Sequence, residues 1–259
     1  MNLIHPSAIV SPNAELAENV QVGPFTIIED NVKIGKNTII GPHVCIYNGA
    51  RIGENVKIFQ GASVSNLPQD LKFKDGDSLF YIGNNTTIRE FCTLHKGTDA
   101  TGKSSIGENC LLMAYAHVAH DCQIGNNVIL ANAVQIGGHA ILEDWVIVGG
   151  STPIHQFSKV GKHSMIGGGL RIVNDVPPFV MANYMPLRFA GLNVLGLRRR
   201  GFSNEQIMTI KEAYRILYRD GLNYSQACEK LLNLYPENKD IQEIVSFVKN
   251  SDRGIIKGK

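Results

Sequence analysis

Two histidines and a carboxylate stand together in the segment Ala116–Cys122 (AHVAHDC): His117, His120 and Asp121. An imidazole titrates near neutrality, so a histidine here is suited to moving a proton. A neighbouring carboxylate is suited to orienting that ring and supporting its charged form. Gly138, His139, His155 and Gln156 follow, so four of the eight histidines fall between residues 117 and 155. Their separations carry the information. His120, Gly138 and Gln156 are 18 apart, and so are Asp121 and His139.

That spacing acquires meaning from the repeat around it. Aliphatic residues recur every six positions from Ile4, Val10 and Leu16 to Val64, again at Ile82, Ile88 and Leu94, and from Ile106 to Ile172. An amphipathic helix repeats at about 3.6 residues, so a sustained period of six excludes one here. Gly often follows the aliphatic residue, as at Gly23, Gly41 and Gly125, and Asn often stands three after it, as at Asn19, Asn37 and Asn127. Both tolerate the positive φ that tight turns can require. The pattern describes short strands joined by turns, three hexads to a triangular coil of 18 residues, with coils stacked about 4.8 Å apart. Residues 1–186 are therefore expected to form a parallel β-helix. On this ruler His117, His120, Asp121, Gly138, His139, His155 and Gln156 lie on three successive coils, within about 10 Å along the axis.

Two segments leave the repeat. Asn66–Leu79 (NLPQDLKFKDGDSL) is polar and aperiodic, and Thr98–Ser105 (TDATGKSS) is shorter. Loops that leave a rigid scaffold commonly carry function. Gln69, Asp70 and Lys72 suit a polar ligand, although the loop taken alone reads as solvated. The repeat ends at Asp175-Val176-Pro177-Pro178, and residues 179–197 read as irregular linker. A capping box at Ser203–Gln206 opens a helix to about Arg219, with Gly221 as its stop. Further helices are expected over about 225–234 and 238–249. Residues 187–259 should form a small helical domain that covers one end of the β-helix or contacts a neighbour.

Composition bounds the function. A chain with 44% hydrophobic and 19% charged residues is ordinary for a globular protein. No apolar run approaches the ~18 residues of a membrane-spanning helix. Met1–Pro6 lacks the basic-then-apolar design of a secretory signal, so a cytoplasmic location is expected. The five cysteines are odd in number and contain no CxxC pair, which favours apolar fillers over bridges or zinc ligands. The net charge of +2 is uneven: residues 187–259 hold 13 Lys/Arg against 8 Asp/Glu, and residues 1–186 hold 12 against 15. The basic part suits an acidic macromolecule or a phosphate-bearing ligand, without the density of a nucleic-acid binder.

Three readings of the histidine set compete. The side chains are surface histidines bonded to local backbone. Or they hold Zn²⁺, as in the γ-class carbonic anhydrases that share this β-helix, which leaves the helical domain and the Gln69–Lys72 loop without a task. Or His120 is a general base oriented by Asp121. Its Nε2 then takes a proton from a hydroxyl that the substrate supplies, while the Gly138 N–H stabilises an oxyanion. That last reading calls for no metal or other cofactor.

The chain resembles the acyl-[acyl-carrier-protein]–UDP-N-acetylglucosamine O-acyltransferases, hexapeptide-repeat enzymes that begin lipid A (lipopolysaccharide) synthesis. The likeness rests on QDLKF from Gln69, IREFCTLHKG from Ile88, LLMAYAHVAHDC from Leu111, Gly137-Gly138-His139, VGGSTPIHQF from Val148, DVPPF from Asp175, GLRRRGF from Gly196, and Arg253-Gly254-Ile255. It spans nearly the whole chain. The resemblance implies a left-handed β-helix, against the usual hand of parallel crossovers. It implies that His120 deprotonates the glucosamine 3-hydroxyl, which attacks the thioester of a 3-hydroxyacyl carrier protein, with Asp121 in support and Gly138 N–H as oxyanion hole. Asp70, Lys72, His117, His139, His155 and Gln156 would bind substrate or shape the site. Asn193, Arg199 and Arg200 would contact the UDP part or the phosphopantetheine of the acidic acyl carrier protein. The family forms homotrimers with each site between two β-helices, so the Gln69–Lys72 loop would act on a neighbour. Leu195 stands where well-known members have an acid, and Pro186 where some have a histidine. Gly168 keeps the small residue that leaves a long acyl groove, implying a long 3-hydroxyacyl chain. Related N-acyltransferases carry an extra domain before the hexads, which argues against them here because the hexads begin at Ile4. A variant that acylates a 3-amino sugar nucleotide fits the same motifs.

Overall fold

The computed structural model describes residues 1–74 and 76–258. The hexads wind into a left-handed parallel β-helix with a small helical part at its C-terminal end. Most hexads contribute a two-residue strand whose second residue, the aliphatic one, points inward. From Val22 onward these residues are buried, whereas Ile4 stays 45% exposed on the open first coil. Val and Ile dominate the inward ladders because a branched side chain packs well on a pleated surface.

The strands stack into three sheets. Sheet A runs from Leu3–Ile4 through Leu111–Leu112 to Met165–Ile166 and beyond. Sheet B runs from Ile9–Val10 through His117–Val118 to Pro153–Ile154, and sheet C from Glu15–Leu16 through Gln123–Ile124 to Lys159–Val160. Register pairs such as His117 with Gln135 and Ser105 with Gln123 establish one coil per 18 residues. The interval lengthens where chain is inserted, so that Lys57 pairs with Thr87 and Thr93 with His117. Both excursions leave the B–C corner. One connects Ser63–Asn66 to Leu79–Ile82, the other Thr93–His95 to Lys103–Ile106.

Each corner turns through a residue of positive φ. Asn19, Asn37 and Asn55 do this at the C–A corner, and Phe25, Phe91 and Tyr115 at the A–B corner. At the B–C corner the same role falls to Asp121, His139 and Phe157. Asparagine tolerates this conformation well, whereas phenylalanine and tyrosine adopt it only where the surroundings hold them.

The irregular linker expected over 179–197 is instead structured. Val180–Asn183 extends sheet A in parallel with Met165–Ile166, then turns back antiparallel to Arg188–Leu192. Helix α1 (Val194–Arg199) follows. The segment packs against helices rather than a further coil, with Phe189 stacked on Tyr214, so no hexad period marked it. The expected boundary at residue 186 falls in the turn of this hairpin.

The remaining helices are α2 (Asn204–Arg219), α3 (Tyr224–Leu234) and α4 (Lys239–Lys249). The Ser203–Gln206 capping box forms, and Gly221, with φ +70°, follows the C-cap of α2. The helical part docks on the C–A corner. Trp145, His163 and Phe179 stack there, with Phe202 edge-on to the last two. All five cysteines are free, and all but Cys45 are buried, which suits a filling role. Among the described residues no helix is long and apolar enough to cross a membrane.

Candidate active site

Asp121 occupies the B–C corner and its carboxylate is fully buried. One oxygen, Oδ1, accepts the Thr98 N–H at 3.0 Å and the Thr101 hydroxyl. The other, Oδ2, accepts the Thr98 hydroxyl at 2.7 Å and His120 Nδ1 at 2.8 Å. Burial alone would raise the proton affinity of this carboxyl. The hydrogen bonds from Thr101, His120 and Thr98 outweigh it and hold its pKa below the usual value. Asp121 is therefore an acceptor only, and the His120 proton facing it resides on Nδ1. That leaves Nε2 with a free lone pair, the tautomer a general base requires.

The coil above completes the arrangement. His139 N–H donates to the His120 carbonyl at 3.0 Å, and Phe157 N–H to the Gly138 carbonyl at 3.0 Å, so the three coils stack in register. His139 Nε2 lies 3.6 Å from Asp121 Oδ2, and its ring stacks on Phe157 with centroids 4.5 Å apart. Gly138 is a spatial necessity. A Cβ there would come within 2.6 Å of His120 Cε1 and 2.7 Å of Nε2. The Gly138 N–H makes no hydrogen bond with any described residue.

A pocket of about 190 Å³ opens beside these groups, lined by Gln69, His95, His117, Ala119, His120, Gly137, Gly138 and Gln156. His95 was not singled out from sequence. It is 3% exposed, bonds the Leu67 carbonyl through Nδ1 at 2.6 Å, and leaves Nε2 buried without a partner. Burial lowers its pKa, partly opposed by that backbone bond. The His117 ring lies 5.0 Å from it and bonds Thr93 through Nδ1 at 2.8 Å. Burial and the nearby His95 push His117 down to about 4, so both rings are neutral near pH 7. The insertion at 98–103 displaced His95 from the 18-residue ruler. Allowing for it puts Thr93 under His117 and brings His95 to the site.

The other expected site residues are dispersed. His155 stands next to Gln156 on an exposed turn and bonds the Gln156 carbonyl. Gln69 reaches the pocket, whereas Asp70 and Lys72 do not line it. The Asp70 carboxylate instead accepts the Lys72 N–H at 2.9 Å in a local turn. Gly168 lies at the A–B corner, against Gly150. Asn193 caps α1 and donates to the His163 carbonyl at 2.9 Å. Arg200 lies 5.0 Å over the Trp145 ring and donates toward His163, while Arg199 is exposed beside it. The His120–Asp121 pair, Gly168 and the Asn193–Arg200 group thus occupy three different corners of one chain.

His120, Asp121 and His139 offer ligand atoms within 4.8 Å of one another. Both Asp121 oxygens are already engaged by Thr98, Thr101 and His120. A cation would have to displace these bonds, so the residues do not fit one.

A hexapeptide β-helix with a His–Asp pair at one corner and a helical end matches the hexapeptide-repeat transferases. The model for bacterial transferase hexapeptides matches residues 13–48, 31–66 and 103–138, and that for domain 2 of UDP-N-acetylglucosamine O-acyltransferase matches 175–256. The chain belongs to the acyl-[acyl-carrier-protein]–UDP-N-acetylglucosamine O-acyltransferase family. A member from Paraburkholderia phymatum is 49% identical over 99% of this chain and 100% of its own, and one from Aliarcobacter butzleri 47% over 98% of each. Among solved structures, the UDP-N-acetylglucosamine acyltransferase of Bacteroides fragilis superposes with a TM-score of 0.96 at 44% identity, covering 98% of this chain and 100% of that one. That of Francisella novicida gives 0.96 at 39% identity, covering 98% and 94%.

Proposed function

We propose that the protein transfers a 3-hydroxyacyl group from acyl carrier protein to the 3-hydroxyl of the glucosamine unit in UDP-N-acetylglucosamine, the first step of lipid A synthesis, in the cytoplasm. The observation that carries the mechanism is the 2.8 Å contact from His120 Nδ1 to Asp121, which leaves Nε2 as the base beside the pocket. Nε2 removes the hydroxyl proton as the oxygen attacks the thioester carbonyl. The Gly138 N–H receives the developing oxyanion, and collapse expels the thiolate of phosphopantetheine, which takes the proton back from His120. Gln69, His117, His139, His155 and Gln156 surround the sugar, and Gly168 keeps the acyl groove open.

A homotrimer reconciles the three corners. Asn193, Arg199 and Arg200 cannot reach the B–C corner of their own chain, but a neighbour's corner can present them to the same substrate. Asp70 and Lys72, which leave the same corner without lining their own chain's pocket, act on a neighbour. The outward residues of sheets A and B near their shared corner support such packing: Ile27 and Ile39 are each about 40% exposed, and Phe25 60%. The acidic carrier protein would meet the basic rim of a 390 Å³ pocket between Phe189, Leu192 and α2, where Lys211 and Arg219 are exposed.

The decisive assay uses purified protein, 3-hydroxyacyl carrier proteins of several chain lengths, and both UDP-N-acetylglucosamine and its 3-amino analogue. His120→Ala is expected to lower kcat by at least ~10³-fold with an unchanged melting temperature. Residual turnover within tenfold of the parent would refute the base assignment.

A further inference from the structure

The excursion over residues 98–103 has a role in the site that family membership does not assign. Thr98 grips the Asp121 carboxylate at both oxygens, with its N–H on Oδ1 at 3.0 Å and its hydroxyl on Oδ2 at 2.7 Å. The loop is shaped for this grip. Gly102 N–H bonds the Thr98 carbonyl at 2.7 Å, and Ala100 N–H bonds the Thr98 hydroxyl oxygen at 3.2 Å. The hydroxyl therefore accepts from Ala100 and has its single proton free for Asp121. Thr101 also reaches Oδ1, but its hydroxyl lies 2.8 Å from the Lys103 carbonyl as well. One proton serves two acceptors there, so Thr98 is the unambiguous donor.

We infer that Thr98 is a positioning residue for the acyl transfer: its bidentate grip locks the buried Asp121 carboxylate as an acceptor aimed at His120 Nδ1. The inference rests on His120 being the base. Without the grip, Oδ2 would have two claimants, His120 at 2.8 Å and His139 at 3.6 Å, on different coils. The Thr98 hydroxyl also withdraws charge from the oxygen that faces His120. It thereby tempers how strongly Asp121 favours the imidazolium. The titratable groups around Asp121 are His120 beside it, His139 from the coil above, His95 behind His120, and the Cys122 thiol, which burial pushes up to about 12 and keeps neutral. Among the described residues, the basic side chains within 4 Å of the carboxylate are the two histidines His120 and His139.

The test is Thr98→Val, which keeps the shape and the backbone N–H but removes the hydroxyl, with Thr98→Ser as rescue and His120→Ala as reference. Steady-state kinetics are measured from pH 5.5 to 9 in the acyl-transfer assay. Thr98→Val is expected to lose about 10- to 100-fold in kcat, with KM for UDP-N-acetylglucosamine within about threefold of the parent. The acid limb of kcat/KM should move to higher pH, because more negative charge on Oδ2 favours the protonated ring. Thr98→Ser should restore both the rate and the limb. A loop that merely packs would give equal losses in both variants, with the limb unmoved, and that result overturns the inference. A silent Thr98→Val beside an inactive His120→Ala overturns it alone. An active His120→Ala withdraws the base reading and the inference together.

Discussion

At the scale of single residues, the site depends on one absent side chain and one fixed tautomer. Gly138 leaves the room in which His120 sits, since an added Cβ meets the ring at 2.6 Å. The ring cannot retreat without releasing Asp121. Gly138→Ala should therefore cost about 1–3 kcal/mol of stability and lower kcat more than a surface substitution would. Thermal melts and kcat on the same preparation check this, and an unchanged kcat would show that the ring has room to shift. Asp121→Asn places an amide where His120 now finds an acceptor and disturbs the tautomer. A fall in kcat of about 10²- to 10⁴-fold at unchanged KM is expected in the same assay. Sequence made His120, Asp121 and Gly138 legible because they follow the coil ruler. His95 escaped because six inserted residues broke that ruler between Thr93 and His117.

At the scale of elements, the corners divide the work. The B–C corner sends out both excursions, and the second returns to hold Asp121. The C–A corner receives the helical part through the stack of Trp145, His163 and Phe179. His163 is neutral there, because burial first, then Arg200 and Lys162, push its pKa down to about 4. The unfolded chain takes up this proton near pH 6.5, whereas the folded one refuses it until about 4. More protons are thus bound when unfolded, so the contribution of His163 is fully present above pH 6.5 and is lost as pH falls toward 4. His117 acts with the same sign over the same window. His163→Phe, which keeps a ring in the stack, should flatten the decline of melting temperature between pH 6.5 and 4 without abolishing it. An unaltered slope would remove His163 from the account.

For the whole molecule, the separation of functional groups on three corners makes a definite demand. If sites form between copies, chains carrying His120→Ala and Arg199→Ala should complement each other. Each mixed site needs an intact His120 from one chain and an intact Arg199 from its neighbour, so random mixing should restore about one quarter of the parental activity. Co-refolded mixtures with no more activity than the two mutants apart would place the whole site within one chain. The basic rim belongs to this scale too. Arg215 is neutralised by Glu212 and Asp220, whereas Lys211 and Arg219 form no ion pair with a carboxylate among the described residues. Reversing both to Glu should raise KM for acyl carrier protein about tenfold and weaken its salt dependence, with KM for the sugar nucleotide unchanged.

Much of this was written in the linear chain. A period of six determines the coil, and the coil determines which residues stack, because a β-helix turns sequence separation directly into distance. The His–Asp pair, its glycine and the three long C-terminal helices followed from such local rules. Other features depended on contacts across many residues. Thr98 and Thr101 reach Asp121 from 23 and 20 positions away, through a loop whose path no period encodes. The Val180–Leu192 hairpin exists because sheet A offered it an edge and α2 a surface. Asn193 and Arg200, which the resemblance assigns to substrate contacts, also bond His163 at the C–A corner of their own chain, a pairing no local pattern encodes. Repetition made the scaffold legible, whereas the breaks in repetition, where the chemistry is held in place, became visible only once the chain had folded.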